Sequence, residues 1–187
     1  MIDSPNPPRY TSRELPPYSY VPGQQPHPIS DPDGHSYGHA PEPADPISDA
    51  NWRKNETWLW AIDLFNQGFY WEAHEAWEGL WHAAGRRGLA ADFLKGLIKL
   101  AAAGVKAHEG RPEGVKLHAA RAAELLEPSR GRIVFGIAVD ELLTEAHRTG
   151  SLALANADLK DNSSIKDLQD SAVVYKNAVF HFIRVDG

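Results

Sequence analysis

Residues 71–82, WEAHEAWEGLWH, gather groups that can bind a metal ion or move a proton. At about 100° per residue on a helix, with Trp71 at zero, His74 falls near 300°, Glu75 near 40°, Glu78 near 340° and His82 near 20°. These five residues share one face about 100° wide, with Ala73, Ala76, Trp77 and Leu80 on the other side. His74 and Glu78 stand one helical turn apart, as do Glu78 and His82, and Glu75 flanks the first pair. Imidazole and carboxylate are ligand types of zinc, manganese and iron(II). His74 and His82 are separated by a rise of about 12 Å, so they cannot share one ion. A mononuclear site would use His74 and Glu78 with Glu75, and would need a ligand from elsewhere. The start of the chain offers His27, His35 and His39. An open coordination position would let the ion activate water, which makes hydrolysis the expected chemistry. A metal-free alternative has Glu75 or Glu78 desolvated beside tryptophan rings, its pKa raised, with His74 as proton partner.

Other arrangements produce the same row. The run H-E-x-x-E lacks the second histidine of the H-E-x-x-H zinc proteases. A solvated helix face, ion pairs to Lys95, Lys99 or Arg86, or a hydrogen-bond network that fixes helix register would all look alike in sequence. His108 and His118 are single helical histidines, a residue type usually placed at the surface. Ser36, in the tripeptide Gly34-His35-Ser36, lacks the G-x-S-x-G frame of a nucleophile elbow. Lys95, Lys99 and Lys106 fall opposite Phe93 on their helix, as a solvated face open to an anionic ligand would. Two functions follow. One is a helical protein that binds a partner or small ligand at the His/Glu face. The other is a divalent-metal-dependent hydrolase with His74, Glu75 and Glu78 at its centre.

The elements that must hold these groups are helices. Trp58, Ile62 and Phe65 form a helical stripe, with Asn51 as the expected N-cap. Gly68 marks a turn before a second helix from Tyr70 to about Ala84. A third helix is expected from about Ala90 to Glu109. Gly110 follows it, and Pro112 opens a fourth that ends near Leu126, before Pro128. All six tryptophans lie between Trp52 and Trp81, and Ala101 to Gly104 form a run of small residues. Bulky rings facing small residues is how neighbouring helices interdigitate. Asp140 is placed as the cap of a short helix ending at Gly150. Residues 165–182 carry a helical pattern behind a capping box at Ser164 and Asp167, although their valines also suit a strand. The expected organisation is an arm over residues 1–48, a helical bundle over 49–150 and a helical C-terminal extension over 151–187.

Twelve of the fourteen prolines lie in residues 1–46, so the arm cannot be helical. It also holds four of the six tyrosines and three of the nine histidines. Flexible linkers are poor in aromatics, so the arm is expected to lie against the bundle through its rings. The fold class is therefore all-α, a small bundle with an extended arm packed on it.

Charge divides the chain: residues 1–85 carry a net −8, residues 86–132 a net +5 and residues 133–187 a net −3. The simplest reading is a basic middle packed against an acidic neighbour. An overall charge of −6 does not suit a nucleic-acid-binding domain. With no cysteine, disulfides and thiolate ligands are excluded. With no signal-peptide core and no apolar run of membrane length, a cytoplasmic protein is expected. An exposed tryptophan on the first helix would favour a homo-oligomer.

Two stretches carry a resemblance. FNQGFYWEAHEAWEGLWHAAG (65–85) and FLKGLIKLAAAGVKAHEGRPEGVKLHAARAAELL (93–126) resemble the bacterial and archaeal domain of unknown function numbered 309. The arm segment PPYSYVPGQQPHPISDPDGHSYG (16–38) is similar to an N-terminal extension found in a subset of that family. The resemblance implies a helical bundle and no activity, substrate or cofactor. Lys95 and Lys99 depart from it, because relatives often carry glutamine there.

Overall fold

The computed structural model describes residues 7–39, 43–162 and 183–185, with the backbone alone for 154–162. Its helices are α1 (Glu56–Asn66), α2 (Tyr70–Ala83), α3 (Leu89–His108), α4 (Pro112–Leu126) and α5 (Val139–Asn162). A short antiparallel hairpin, β1 (Ile133–Val134) and β2 (Ile137–Ala138), separates α4 from α5. No described helix is long and apolar enough to cross a membrane.

The N-cap of α1 is Asn55, whose side chain accepts the Trp58 N–H at 2.9 Å. Asn51, the expected cap, instead closes the turn before it by accepting the Ser48 N–H at 2.8 Å. Residues Trp52–Lys54 form a single 3-10 turn between the two asparagines, which moves the helix start. Asn55 also donates to the Asp45 carbonyl at 3.1 Å, tying the end of the arm to the helix start.

Helix α3 lies between α2 and α4, and α5 packs on α4. Its small residues admit side chains from both neighbours. A Cβ on Gly104 would fall within 2.7 Å of three atoms of the Tyr70 ring, and one on Gly96 would fall within 2.8 Å of two Leu126 side-chain carbons. The ring that meets the small run of α3 is thus Tyr70 against Gly104, not one of the tryptophans expected there. In the centre, Trp58 packs its ring on Trp77, Phe93 and Phe135 at centroid distances of 6.5, 6.2 and 5.8 Å. Trp58 and Trp60 of α1 are buried within the chain. The exposed tryptophan that would have favoured a homo-oligomer is therefore not found on α1.

Two features went unforeseen. The hairpin turns at Phe135 and Gly136, both with positive φ (48° and 82°), as two-residue hairpin loops require. Phe135 adopts this uncommon conformation with its ring buried between Trp58 and Phe93. Helix α5 runs through Gly150, where a short helix was expected to stop. A mid-helix glycine costs about 1 kcal/mol relative to alanine. Here Gly150 faces Ala119 of α4, and packing across that interface carries the helix onward. The expected helical pattern of 165–182 lies outside the described residues.

The arm is irregular chain laid over α1 and α2. Asp63, fully buried on α1, accepts the backbone N–H groups of Tyr10 (2.7 Å) and Thr11 (2.9 Å) and the Thr11 hydroxyl (2.7 Å). Arg9 reaches the same carboxylate at 3.2 Å. The Arg9 and Arg13 guanidinium groups lie over the Trp60 ring at 5.5 and 5.2 Å. Further on, the Ser19 hydroxyl donates to the Gly68 carbonyl at 2.8 Å. The other end of the chain is held on α1 as well. The Asn66 side chain donates to the Ile183 carbonyl and accepts the Ile183 N–H, both at 2.8 Å.

Candidate metal centre

Helix α2 turns its apolar side, Ala73, Trp77 and Leu80, into the core and leaves His74, Glu75 and Glu78 half-buried at its edge. One ligand atom from each of these three residues lies within 4.8 Å of the others. Zinc binds nitrogen and oxygen ligands at about 2.0–2.2 Å in a tetrahedral arrangement, so ligand atoms on one ion stand about 3.4 Å apart. The three side chains would have to draw together by more than about 1 Å to hold one. His74 Nδ1 is buried and makes no hydrogen bond. It lies 3.3 Å from Glu75 Oε1, near enough for attraction but not aligned as a hydrogen bond. Buried polar atoms normally have a partner, so this nitrogen has unused binding capacity.

His82 stands outside the group, as its rise along the helix requires. Its Nε2 is 3.8 Å from Glu78 Oε1, and its Nδ1 accepts from Arg86 Nε at 3.1 Å. The lysines expected on a solvated face of α3 are half-buried instead. Lys95 Nζ lies 5.4 Å from the centre of the Trp81 ring, and Lys106 Nζ bonds Glu109 at 2.7 and 2.9 Å. His118 of α4, expected at the surface, is also half-buried. Burial holds its pKa below the ordinary histidine value, and the positive charges of Lys99 and Lys106 add to this. His108 packs its ring on Tyr70 at 5.0 Å.

The arm histidines do not join the three. His27 packs on Tyr20 and Trp71 at 5.0 and 5.3 Å, one helical turn before Glu75, and its Nδ1 accepts the Ile29 and Ser30 N–H groups. His39 is exposed, with Nδ1 3.1 Å from the Tyr37 carbonyl. His35 meets Glu72, its Nε2 3.4 Å from Glu72 Oε1. The arm therefore crosses α2 at Trp71 and Glu72, and His74, Glu75 and Glu78 form their group without it.

Glu72 was not singled out from sequence. At about 100° from Trp71 it sits off the His/Glu face, and periodicity alone does not reveal its burial. It is 7% exposed and accepts the Tyr20 N–H at 2.9 Å, while its Oε2 has no partner. Burial raises its carboxyl above the ordinary value of 4.5; the Tyr20 N–H, its own backbone N–H and His35 oppose the rise. A carboxyl raised in the folded state keeps its proton at pH values where the unfolded chain has already lost it. Its contribution therefore favours the folded state in acid and is lost as pH climbs from 4.5 through the folded value. Glu72→Gln should flatten that part of the stability–pH curve, measured by urea unfolding at a series of pH values. Identical slopes for the two proteins would show that Glu72 does not titrate differently on folding.

Residues 58–117 match the family model described as Domain of unknown function (DUF309). This part of the chain, from α1 into α4, is therefore similar to that family, in agreement with the resemblance read from residues 65–126. Neither a curated protein nor a solved structure matches the chain.

Proposed function

We propose that this helical protein binds a divalent transition-metal ion at the edge of α2, through His74, Glu75 and Glu78. The observations that support the reading are the approach of one ligand atom from each residue to within 4.8 Å of the others, and a buried His74 Nδ1 without a hydrogen bond. Zinc, manganese and iron(II) suit this nitrogen–oxygen set. Titration calorimetry of the full chain with zinc and with manganese should give one ion per chain. His74→Ala should weaken binding by about tenfold or more, since even outer-shell losses cost 10–100-fold. Unchanged affinity in His74→Ala, or no saturable binding to the unaltered chain, would sink the reading.

A second reading makes the bound ion catalytic. It is favoured by the origin of the candidate groups on one half-exposed helix face, which leaves the ion's outer positions to water. Such an ion acidifies its water and supplies hydroxide for hydrolysis. Glu75 or Glu78 would then act as a base rather than a ligand. Hydrolysis that requires the metal and disappears in both His74→Ala and Glu78→Ala would separate this reading from plain binding.

A further inference from the structure

The structure assigns a second centre where the arm crosses α2: Ser36 as a nucleophile, His35 as its base and Glu72 as the group that orients the base. Ser36 Oγ lies 2.9 Å from His35 Nδ1, and His35 Nε2 lies 3.4 Å from Glu72 Oε1. Nucleophile, base and carboxylate are thus connected in series, the arrangement by which a hydroxyl is activated for attack on an acyl group. The triad is recognised by geometry and roles, and so needs no G-x-S-x-G frame.

The surroundings hold the series in one arrangement. The His35 and Glu72 side chains are 10% and 6% exposed. Glu72 Oε1 is also fixed by the Tyr20 N–H at 2.9 Å. The Tyr18 ring meets His35 at 4.8 Å, and the Tyr18 hydroxyl accepts the His35 N–H at 3.3 Å. Ser36 donates its own N–H to the Pro28 carbonyl at 2.9 Å. Gly34 is required just before them, because a Cβ there would fall on the carbonyls of His27 and Pro28. Ser36 itself is half-buried, and Tyr37, Gly38 and His39 after it are exposed, so a small substrate can reach the hydroxyl.

The attack uses one tautomer. With the proton on Nε2 donated to Glu72, the Nδ1 lone pair faces the serine hydroxyl. The substrate class is a carboxylic ester with a small acyl group. Ser36 Oγ forms a bond to the acyl carbon, and its proton passes to Nδ1. The ester carbon–oxygen bond then breaks, and the Nδ1 proton leaves with the alcohol. Water repeats the sequence on the acyl-serine and restores the hydroxyl.

The test uses the full chain and a fluorophosphonate, which loses fluoride as Ser36 Oγ bonds to phosphorus. Intact-mass analysis and peptide mapping should find one adduct, on Ser36. Ser36→Ala should melt at the same temperature and take up none. His35→Ala should react about a hundredfold more slowly or worse, and added imidazole should restore part of the rate. That rescue distinguishes a base from a strut. No adduct on the unaltered chain, an adduct that persists in Ser36→Ala, or an unchanged rate in His35→Ala would each overturn the assignment. This centre shares no residue with the proposed metal site, so each stands or falls alone.

Discussion

Asp63→Ala should cost about 2–5 kcal/mol of folding stability, about 1–3 kcal/mol for each backbone donor it would leave without an acceptor. Four donors from the arm converge on this carboxylate: two backbone N–H groups, a hydroxyl and the Arg9 guanidinium. Alanine would leave the half-buried Tyr10 and Thr11 N–H groups facing α1 with no acceptor. Arg9 is about one-third exposed and water can solvate it, so most of the loss comes from the neutral donors. Asp63→Asn keeps one acceptor oxygen and should lose less. Urea unfolding measures the cost, and trypsin cleavage after Arg9 and Arg13 reports whether the arm has lifted. A loss under about 1 kcal/mol, within the range of an ordinary single hydrogen bond, with unchanged cleavage would mean the arm is held elsewhere.

The next largest effect is expected at the centre of the bundle. Trp58 is fully buried among Trp77, Phe93 and Phe135. Trp58→Ala should cost about 3–5 kcal/mol, because the lost transfer energy is joined by the cavity left behind. For a chain of this size that lowers the melting temperature by roughly 10 °C. Trp58→Phe is the informative comparison. The indole Nε1 is buried without a hydrogen bond, so losing the N–H removes an unsatisfied donor along with part of the ring. Phenylalanine should therefore recover most of the alanine loss. Equal melting temperatures for the two variants would contradict the packing described for Trp58.

What sequence revealed and what it hid divide along a physical line. Helix positions followed from periodic burial, which acts locally, and the starts of α2 and α4 at Tyr70 and Pro112 fell where expected. His74, Glu75 and Glu78 were legible for the same reason: once α2 forms, their spacing brings them together whatever the rest of the chain does. Gly150 misled because a glycine's preference for helix ends is worth only about 1 kcal/mol, which packing can outweigh. Asn51 misled because a second asparagine, four residues later, took the cap. Glu72 and Asp63 were hidden more deeply. Their partners are backbone N–H groups of irregular chain 52 and 53 residues away, and no side-chain pattern records where such chain crosses a helix. For the same reason His27 and His35 meet α2 at Trp71 and Glu72 and not at His74. The lysines of α3 were charged and so read as solvated, yet Lys95 lies over an aromatic face and Lys106 pairs with Glu109.

The arm's dependence on later residues constrains how the protein is made. Residues 9–36 leave the ribosome before Asp63 and Glu72, the two acids that receive their N–H groups. At about 5–20 residues per second, several seconds pass in which that stretch has no acceptors to settle on. The bond from the Val185 N–H to the Tyr10 hydroxyl spans 175 residues, so it forms only after the whole bundle has emerged. Until then a tyrosine- and proline-rich nascent segment is open to whatever else the cell presents, chaperones and proteases included.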